Sequence, residues 1–240
     1  MTYCVGLLLD AGIVLLSDTR TNAGLDNIAT YRKMFLFEEP GERAIGIMTA
    51  GSLSITQTTM ARLTDAIEEG DSPKSIMQAP TMLQVAEIVG GMLSDVTSEV
   101  AAKMERMSQN ATASMIVAGQ RKGGPMRMFL IYPEGNFIEA TADTPFLQIG
   151  EHKYGKPILD RVIAPGTSLA DAEKAVLLSM DSTLRSNLSV GMPLDFAVIE
   201  ANSLEISRRR RIEADDEGFS RMSAAWSEAL RNAFQQIDPI

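Results

Sequence analysis

Met1-Thr2-Tyr3-Cys4-Val5-Gly6-Leu7-Leu8-Leu9 is the stretch on which the reading of this chain turns. It alternates and ends in aliphatics, the pattern of a buried strand. A small residue after an initiator methionine usually leads to removal of that methionine. A chain beginning at Thr2 carries a free α-amine and a hydroxyl on one residue. An α-amine titrates near ~8, so at neutral pH a useful fraction is an unprotonated base. One residue then supplies both nucleophile and base.

Three further stretches extend this start. After a turn at Asp10-Ala11-Gly12, the run Ile13-Val14-Leu15-Leu16-Ser17-Asp18-Thr19-Arg20 reads as a second apolar strand ending in a carboxylate. Beyond the polar loop Thr21-Asn22-Ala23-Gly24, Tyr31-Arg32-Lys33-Met34-Phe35-Leu36-Phe37 puts a lysine at the head of another strand. Ala44-Ile45-Gly46-Ile47-Met48-Thr49-Ala50-Gly51-Ser52 then runs a strand into a glycine and a helix start.

In this order, these residues resemble the N-terminal half of a proteasome β-type subunit, an N-terminal nucleophile hydrolase. The stretches Thr2 to Asp10, Ser17 to Gly24, Tyr31 to Met34 and Gly150-Glu151-His152-Lys153-Tyr154-Gly155-Lys156-Pro157 are similar to the bacterial Anbu, or ancestral β-subunit, branch. The resemblance covers residues 2 to 212. It implies a four-layer αββα sandwich and a catalytic set of Thr2, Asp18, Lys33 and Gly51.

Composition agrees with a single globular domain: 240 residues, 45% of them apolar, without a break rich in Pro, Gly or Ser. The net charge of −9 argues against nucleic acid or an anionic membrane as partner. No run approaches eighteen apolar residues and no leader pattern is present, so a cytoplasmic location is expected. One cysteine, Cys4, and one histidine, His152, rule out an internal disulfide and make a His/Cys zinc site implausible. No cofactor and no metal are expected.

Along the chain, four strands are predicted at about 2–9, 13–17, 30–37 and 44–50. A helix follows from Ser52, as cap, to about Glu69, with Leu53, Thr56, Met60, Leu63 and Ile67 at helical spacing. A longer one spans about Thr81 to Met107, where Gly90-Gly91 marks either close packing or a kink. Strands return at 113–119, 125–132 and 136–140. Ser168-Leu169-Ala170-Asp171 is a capping-box pattern opening a further helix, before strands at 194–201 and 204–212. Strands, helices, strands, helix, strands is a segregated α+β order, which two antiparallel sheets between helix layers would satisfy.

Two domain-level segments are assigned: 1–212 as the β-subunit-like body, and 213–240 as an acidic linker with an amphipathic helix. Arg208 to Arg211 reads as a charged strand face balanced by the acids that follow. Phe219, Met222, Trp226, Leu230, Phe234 and Ile237 form a stripe that packs on its own body or on a neighbouring subunit.

The resemblance assigns roles. Thr2 Oγ attacks a carbonyl carbon while the Thr2 amine takes its proton. The Lys33 ammonium keeps that amine basic, Asp18 orients Lys33, and the Gly51 N–H receives the oxyanion. Proteasome subunits add a serine in a G-S-G-type turn and an Asp-x-x-Ser-Gly support. Here Gly150-Glu151 stands at the first, and Asn187-Leu188-Ser189-Val190-Gly191 at the second, leaving Ser189 as candidate support. The implied activity is cleavage of peptide or other amide bonds inside a homo-oligomeric ring or spiral, with an unfoldase as a conceivable partner. A self-assembling scaffold of vestigial activity and a small-amide amidase are the rival readings.

Overall fold

The computed structural model describes residues 1–22, 28–70, 72–104 and 111–238. Twelve strands fall in chain order: β1 Tyr3–Leu9, β2 Gly12–Asp18, β3 Arg20–Asn22, β4 Ile28–Thr30, β5 Met34–Glu39, β6 Arg43–Gly51, β7 Ala113–Arg121, β8 Arg127–Ile131, β9 Phe137–Glu139, β10 Phe146–Gly150, β11 Leu194–Glu200 and β12 Arg208–Ile212. The helices are α1 Leu53–Glu68, α2 Met82–Met104, α3 Lys156–Val162, α4 Leu169–Ser186 and α5 Glu217–Gln235. The class is mixed α+β. One five-stranded antiparallel sheet runs β10-β1-β2-β11-β12 and a second runs β5-β6-β7-β8-β9, with β3 and β4 as a separate ribbon.

The period-two alternation of β1 divides its side chains between two cores. Tyr3, Val5, Leu7 and Leu9 enter a cluster with Leu159 of α3 and with Ala172, Val176 and Met180 of α4. Cys4 points the other way, into a cluster that joins Ile13 and Leu15 of the first sheet to Met48, Ile116 and Met128 of the second. A side chain at Gly6 would have its Cβ 2.6 Å from Met128 Sδ, so glycine lets the two sheets approach here. On the far side of the second sheet, α1 and α2 bury Ile55, Leu63, Val85, Val89 and Leu93 against Ile45, Ile47 and Val117. Each such side chain contributes roughly 1.5–3 kcal/mol when fully buried.

Several sequence expectations are corrected. The predicted strand at 30–37 is two strands, β4 and β5, separated by an irregular Tyr31–Lys33. The predicted 204–212 strand starts only at Arg208, because Asn202 and Leu204 take positive φ (64° and 56°) in a turn. Ser52 sits at the cap position of α1 without a side-chain cap; its Oγ meets Ser54 Oγ at 3.1 Å instead. Strand β10 and helix α3 are additions to the predicted elements. The predicted end of the second helix near Met107 lies outside the described residues, as does Ala23-Gly24 of the polar loop. At Gly90 the alternatives resolve to close packing, since a Cβ there would run into the Gly135 carbonyl of the β8–β9 turn.

Ser168 caps α4, its Oγ accepting from Asp171 N at 3.1 Å, while the Asp171 carboxylate meets the Ser168 hydroxyl at 2.9 Å where a capping box would use the Ser168 N–H. Helix α5 is capped by Asp216, which accepts from Phe219 N at 2.8 Å. It is tied to α4 where Ser223 Oγ donates to Asp181 Oδ1 at 2.7 Å and Arg185 reaches Ser223 Oγ at 2.7 Å. Phe219 and Met222 pack on the α3–α4 cluster. Farther along, Leu230, Phe234 and Ile237 are exposed. The apolar stripe therefore divides, its first half resting on its own body. Among the described residues no helix is long and apolar enough to cross a membrane, and no group of three His, Cys, Asp or Glu could hold a metal ion.

Candidate active site

Antiparallel pairing of β1 with β2 sets Cys4 opposite Ser17, which brings the start of β1 beside the end of β2. Asp18, the last residue of β2, is wholly buried and turns its carboxylate under the first peptides of β1. Its Oδ1 accepts from Tyr3 N at 3.1 Å and from Lys33 Nζ at 2.8 Å. Its Oδ2 accepts from Gly191 N at 3.2 Å.

Lys33 arrives from the irregular stretch before β5. Its carbonyl accepts from Thr49 N at 2.9 Å, which anchors that stretch to the end of β6. Its ammonium, also buried, donates to three oxygens: Asp18 Oδ1, the Arg20 carbonyl at 2.6 Å and the Met1 carbonyl at 3.2 Å. A buried ion pair is tolerable only when further hydrogen bonds satisfy both partners, and here backbone groups do so on each side. Burial pushes the Asp18 carboxyl up from its ordinary value, against the pull of the Lys33 ammonium and of the Tyr3 and Gly191 N–H groups. The same burial raises the Cys4 thiol, with the Asp18 charge adding to it.

Thr2 is buried, and its carbonyl accepts from Glu151 N at 2.7 Å. Gly150, opposite Tyr3 in the β1–β10 pairing, has φ +82°. A Cβ there would collide with the Thr2 carbonyl, so this position requires glycine on two counts. Below, Tyr3 Oη meets Ser179 Oγ and accepts from Gln148 Nε2, both at 2.6 Å. Its phenol is pushed up to about 12, chiefly by burial. Met1 precedes Thr2 in the structure, so the Thr2 nitrogen is a peptide amide.

Gly51 closes β6 with φ +108°, and a Cβ on it would strike the Thr112 carbonyl. It lies two residues beyond Thr49, the residue that holds Lys33, and directly before α1. Ser189 is the sequence candidate that the structure does not bring in. Its N–H bonds Asn187 Oδ1 at 2.9 Å, and it makes no hydrogen bond to Thr2, Asp18 or Lys33. The 187–191 loop reaches the cluster through the Gly191 backbone instead. That loop is held by Arg20, whose guanidinium donates to the Leu188 carbonyl at 2.9 Å and fills the space a Gly191 side chain would need. Tyr3 N, Gly191 N and the Arg20 carbonyl were not singled out beforehand; backbone donors and acceptors leave no signature in residue type.

No protein-family model and no curated protein matches the chain, but solved structures do. It is 40% identical to Anbu (ancestral beta-subunit) from Yersinia bercovieri, over 99% of this chain and 98% of that one, with a TM-score of 0.92. Against the Anbu (Gly-1) mutant from Hyphomicrobium sp. strain MC1 the figures are 46%, 100%, 99% and 0.92. Against Anbu from Pseudomonas aeruginosa, solved as a helical assembly of the Anbu complex, they are 42%, 99%, 98% and 0.94. These relatives, matched over nearly the whole chain, put this α+β fold in the proteasome-related class. Within that class, the chain is a member of the Anbu family.

Proposed function

We propose that the chain, once Thr2 is its first residue, is a proteasome-type N-terminal threonine hydrolase acting on peptide or other amide bonds. The observation that carries this reading is the Lys33 ammonium, which is bound to Asp18 at 2.8 Å and lies 3.2 Å from the carbonyl of the Met1–Thr2 peptide. A positive charge at that position disfavours protonation of the amine that removal of Met1 would create, keeping it a base near neutral pH. Thr2 Oγ then attacks the substrate carbonyl, its proton passing to the amine directly or through water. The oxyanion is received by the Gly51 N–H at the strand-to-helix turn. Water hydrolyses the acyl-Thr2 ester. Asp18 is a positioning residue, and Ser189 is retained only as a support for the 187–191 loop.

The body adopts the four-layer αββα sandwich, residues 1–212, with 213–240 as an appended linker and helix. The protein works in the cytoplasm as a homo-oligomer, an idea supported by the helical assembly of the Pseudomonas aeruginosa relative at 42% identity. The exposed Leu230, Phe234 and Ile237 of the last helix are the proposed subunit contact. Polypeptide is the proposed substrate and an unfoldase a possible class of partner.

One observation favours a second reading, a scaffold with little turnover or an amidase for small amides. Where proteasome subunits place a serine and an aspartate beside the amine, this chain has Gly150-Glu151 and Asn187, and the 187–191 loop meets Asp18 through the Gly191 N–H. Intact mass with and without a threonine-directed epoxyketone decides. A chain starting at Thr2 that gains one adduct, lost in Thr2→Ala, supports the hydrolase. A processed chain that never labels overturns it in favour of the scaffold.

A further inference from the structure

Away from Thr2, a cavity of about 300 Å³ opens where the edge strands of the two sheets lie side by side, β5 from one and β12 from the other. Its walls are Arg32, Arg209, Arg210 and Arg211, and its apolar lining includes Met34, Leu36 and Phe196. Asp195 also lines it.

The four arginines of β12 do not share one task. Arg208 pairs with Glu173 at 2.8 Å, and Arg210, although it lines the cavity, is engaged by Asp216 at 2.6 Å. Arg211 is shared between Asp195 at 3.3 Å and Glu213 at 3.4 Å. Among the described residues, neither Arg32 nor Arg209 has a carboxylate within ion-pairing distance. Two guanidinium forks that make no ion pair therefore flank a recess whose lining carboxylate, Asp195, is bound to Arg211. Beneath them, Asp195 Oδ2 and Ser17 Oγ, on residues opposite each other in the β2–β11 pairing, are both buried without a hydrogen-bond partner.

We infer that this cavity binds a small organic carboxylate with an apolar body. Guanidinium forks match the planar geometry of a carboxylate. The volume lies at the lower end of small-molecule sites, and the Met34, Leu36 and Phe196 surface suits a short hydrocarbon. Asp195 on the same wall opposes a second negative charge, which selects a monoanion over a dianion. Burial raises the Asp195 carboxyl, and the Arg211, Arg32 and Arg209 charges oppose that rise. The site is independent of the threonine chemistry, although Arg32 adjoins Lys33 and Asp195 faces the residue before Asp18.

Calorimetric titration of the full chain with hexanoate tests it, beside hexan-1-ol, hexylamine and inorganic phosphate. Hexanoate is expected to bind at one site per chain, and the alcohol and the amine not to bind. Arg32→Gln and Arg209→Gln should each weaken hexanoate by on the order of 10-fold or more. Both side chains are exposed, so neither change should disturb folding. Asp195→Asn should act with the opposite sign and tighten hexanoate, because it removes the competing charge and frees Arg211. Hexanoate binding unchanged by the arginine substitutions, or phosphate binding as tightly, overturns the site. Hexanoate that binds only while altering the oligomeric mass assigns the recess to acidic residues of a second copy and overturns it equally.

Discussion

The two helix layers of this protein are built on different chemistry. Between α1/α2 and the second sheet the packing is mainly apolar, with Ile45, Ile47, Ile55, Leu63, Val89 and Leu93 fully buried, a glycine-to-glycine contact joining α2 to the β8–β9 turn, and the buried Thr56 and Thr59 hydroxyls bonded within α1 itself. The layer of α3, α4 and α5 is threaded by directed bonds, Tyr3 to Ser179 and Gln148 on one side and Asp181 to Ser223 on the other. Apolar contacts stabilise without specifying register, whereas a hydrogen bond in a water-poor interior holds only at one geometry. The directed contacts lie under β1, the strand that follows Thr2. Position matters most there, and bulk stability can be supplied elsewhere.

The sharpest way to break this comparison is to injure each layer equally and read both stability and labelling. Lys33→Ala leaves the buried Asp18 charge without its partner, at a cost of roughly 3–5 kcal/mol, and should abolish labelling of Thr2. Leu93→Ala should cost a similar ~2–5 kcal/mol through its cavity while folded protein labels at the parental rate. Thermal melts and adduct kinetics on the same samples separate the two. Restoring stability with the double change Asp18→Asn, Lys33→Met should not restore labelling. Should Leu93→Ala remove labelling from protein that is still folded, the division between layers fails.

A smaller effect comes from Tyr3→Phe, which leaves Ser179 and Gln148 short of a partner at about 1–3 kcal/mol. The phenol's folded pKa is about 12 against an ordinary 10.0, so its contribution is full below pH 10 and is lost as pH rises through 10 to 12. The loss is on the order of 2–3 kcal/mol. Denaturant titrations across that range should show the decline in the parent and a flatter profile in Tyr3→Phe.

The smallest effects lie in α2. Gly90→Ala meets the Gly135 carbonyl and should destabilise by up to ~2 kcal/mol, overpacking set against better helix propensity. Gly91→Ala faces open space and should stabilise by up to ~1 kcal/mol. Opposite signs at neighbouring residues, with labelling untouched in both, would sharpen the picture. Equal signs would mean the Gly90–Gly135 contact does not limit the packing.

Long periodic elements were legible in the sequence because their burial is periodic: β1, β2, β6, β7, α1, α2 and α4 all fall near their expected positions. Strand β10 was not, since five residues between Pro145 and Glu151 carry too few alternations to stand out. Nor was α3, seven residues with a proline in its first turn. Around Thr2, Asp18 and Lys33 were readable as residue types at recognisable spacing. Ser189 is harder to read for a related reason. The residue type suggested a hydroxyl, but the loop approaches Asp18 with the Gly191 amide, and sequence does not reveal which face a loop turns inward.

An ammonium has three protons, and in this structure all three of Lys33's are directed at oxygens: a carboxylate, the Arg20 carbonyl and the carbonyl of Met1. In the proposed processed form, the last of these would leave with Met1. Removing one residue therefore does more than uncover an amine, because it returns one donor of a buried cation to the space beside the new terminus. In the proposed hydrolase the intact chain would then be held back twice, by the amide at Thr2 and by the Met1 carbonyl that takes up a Lys33 donor.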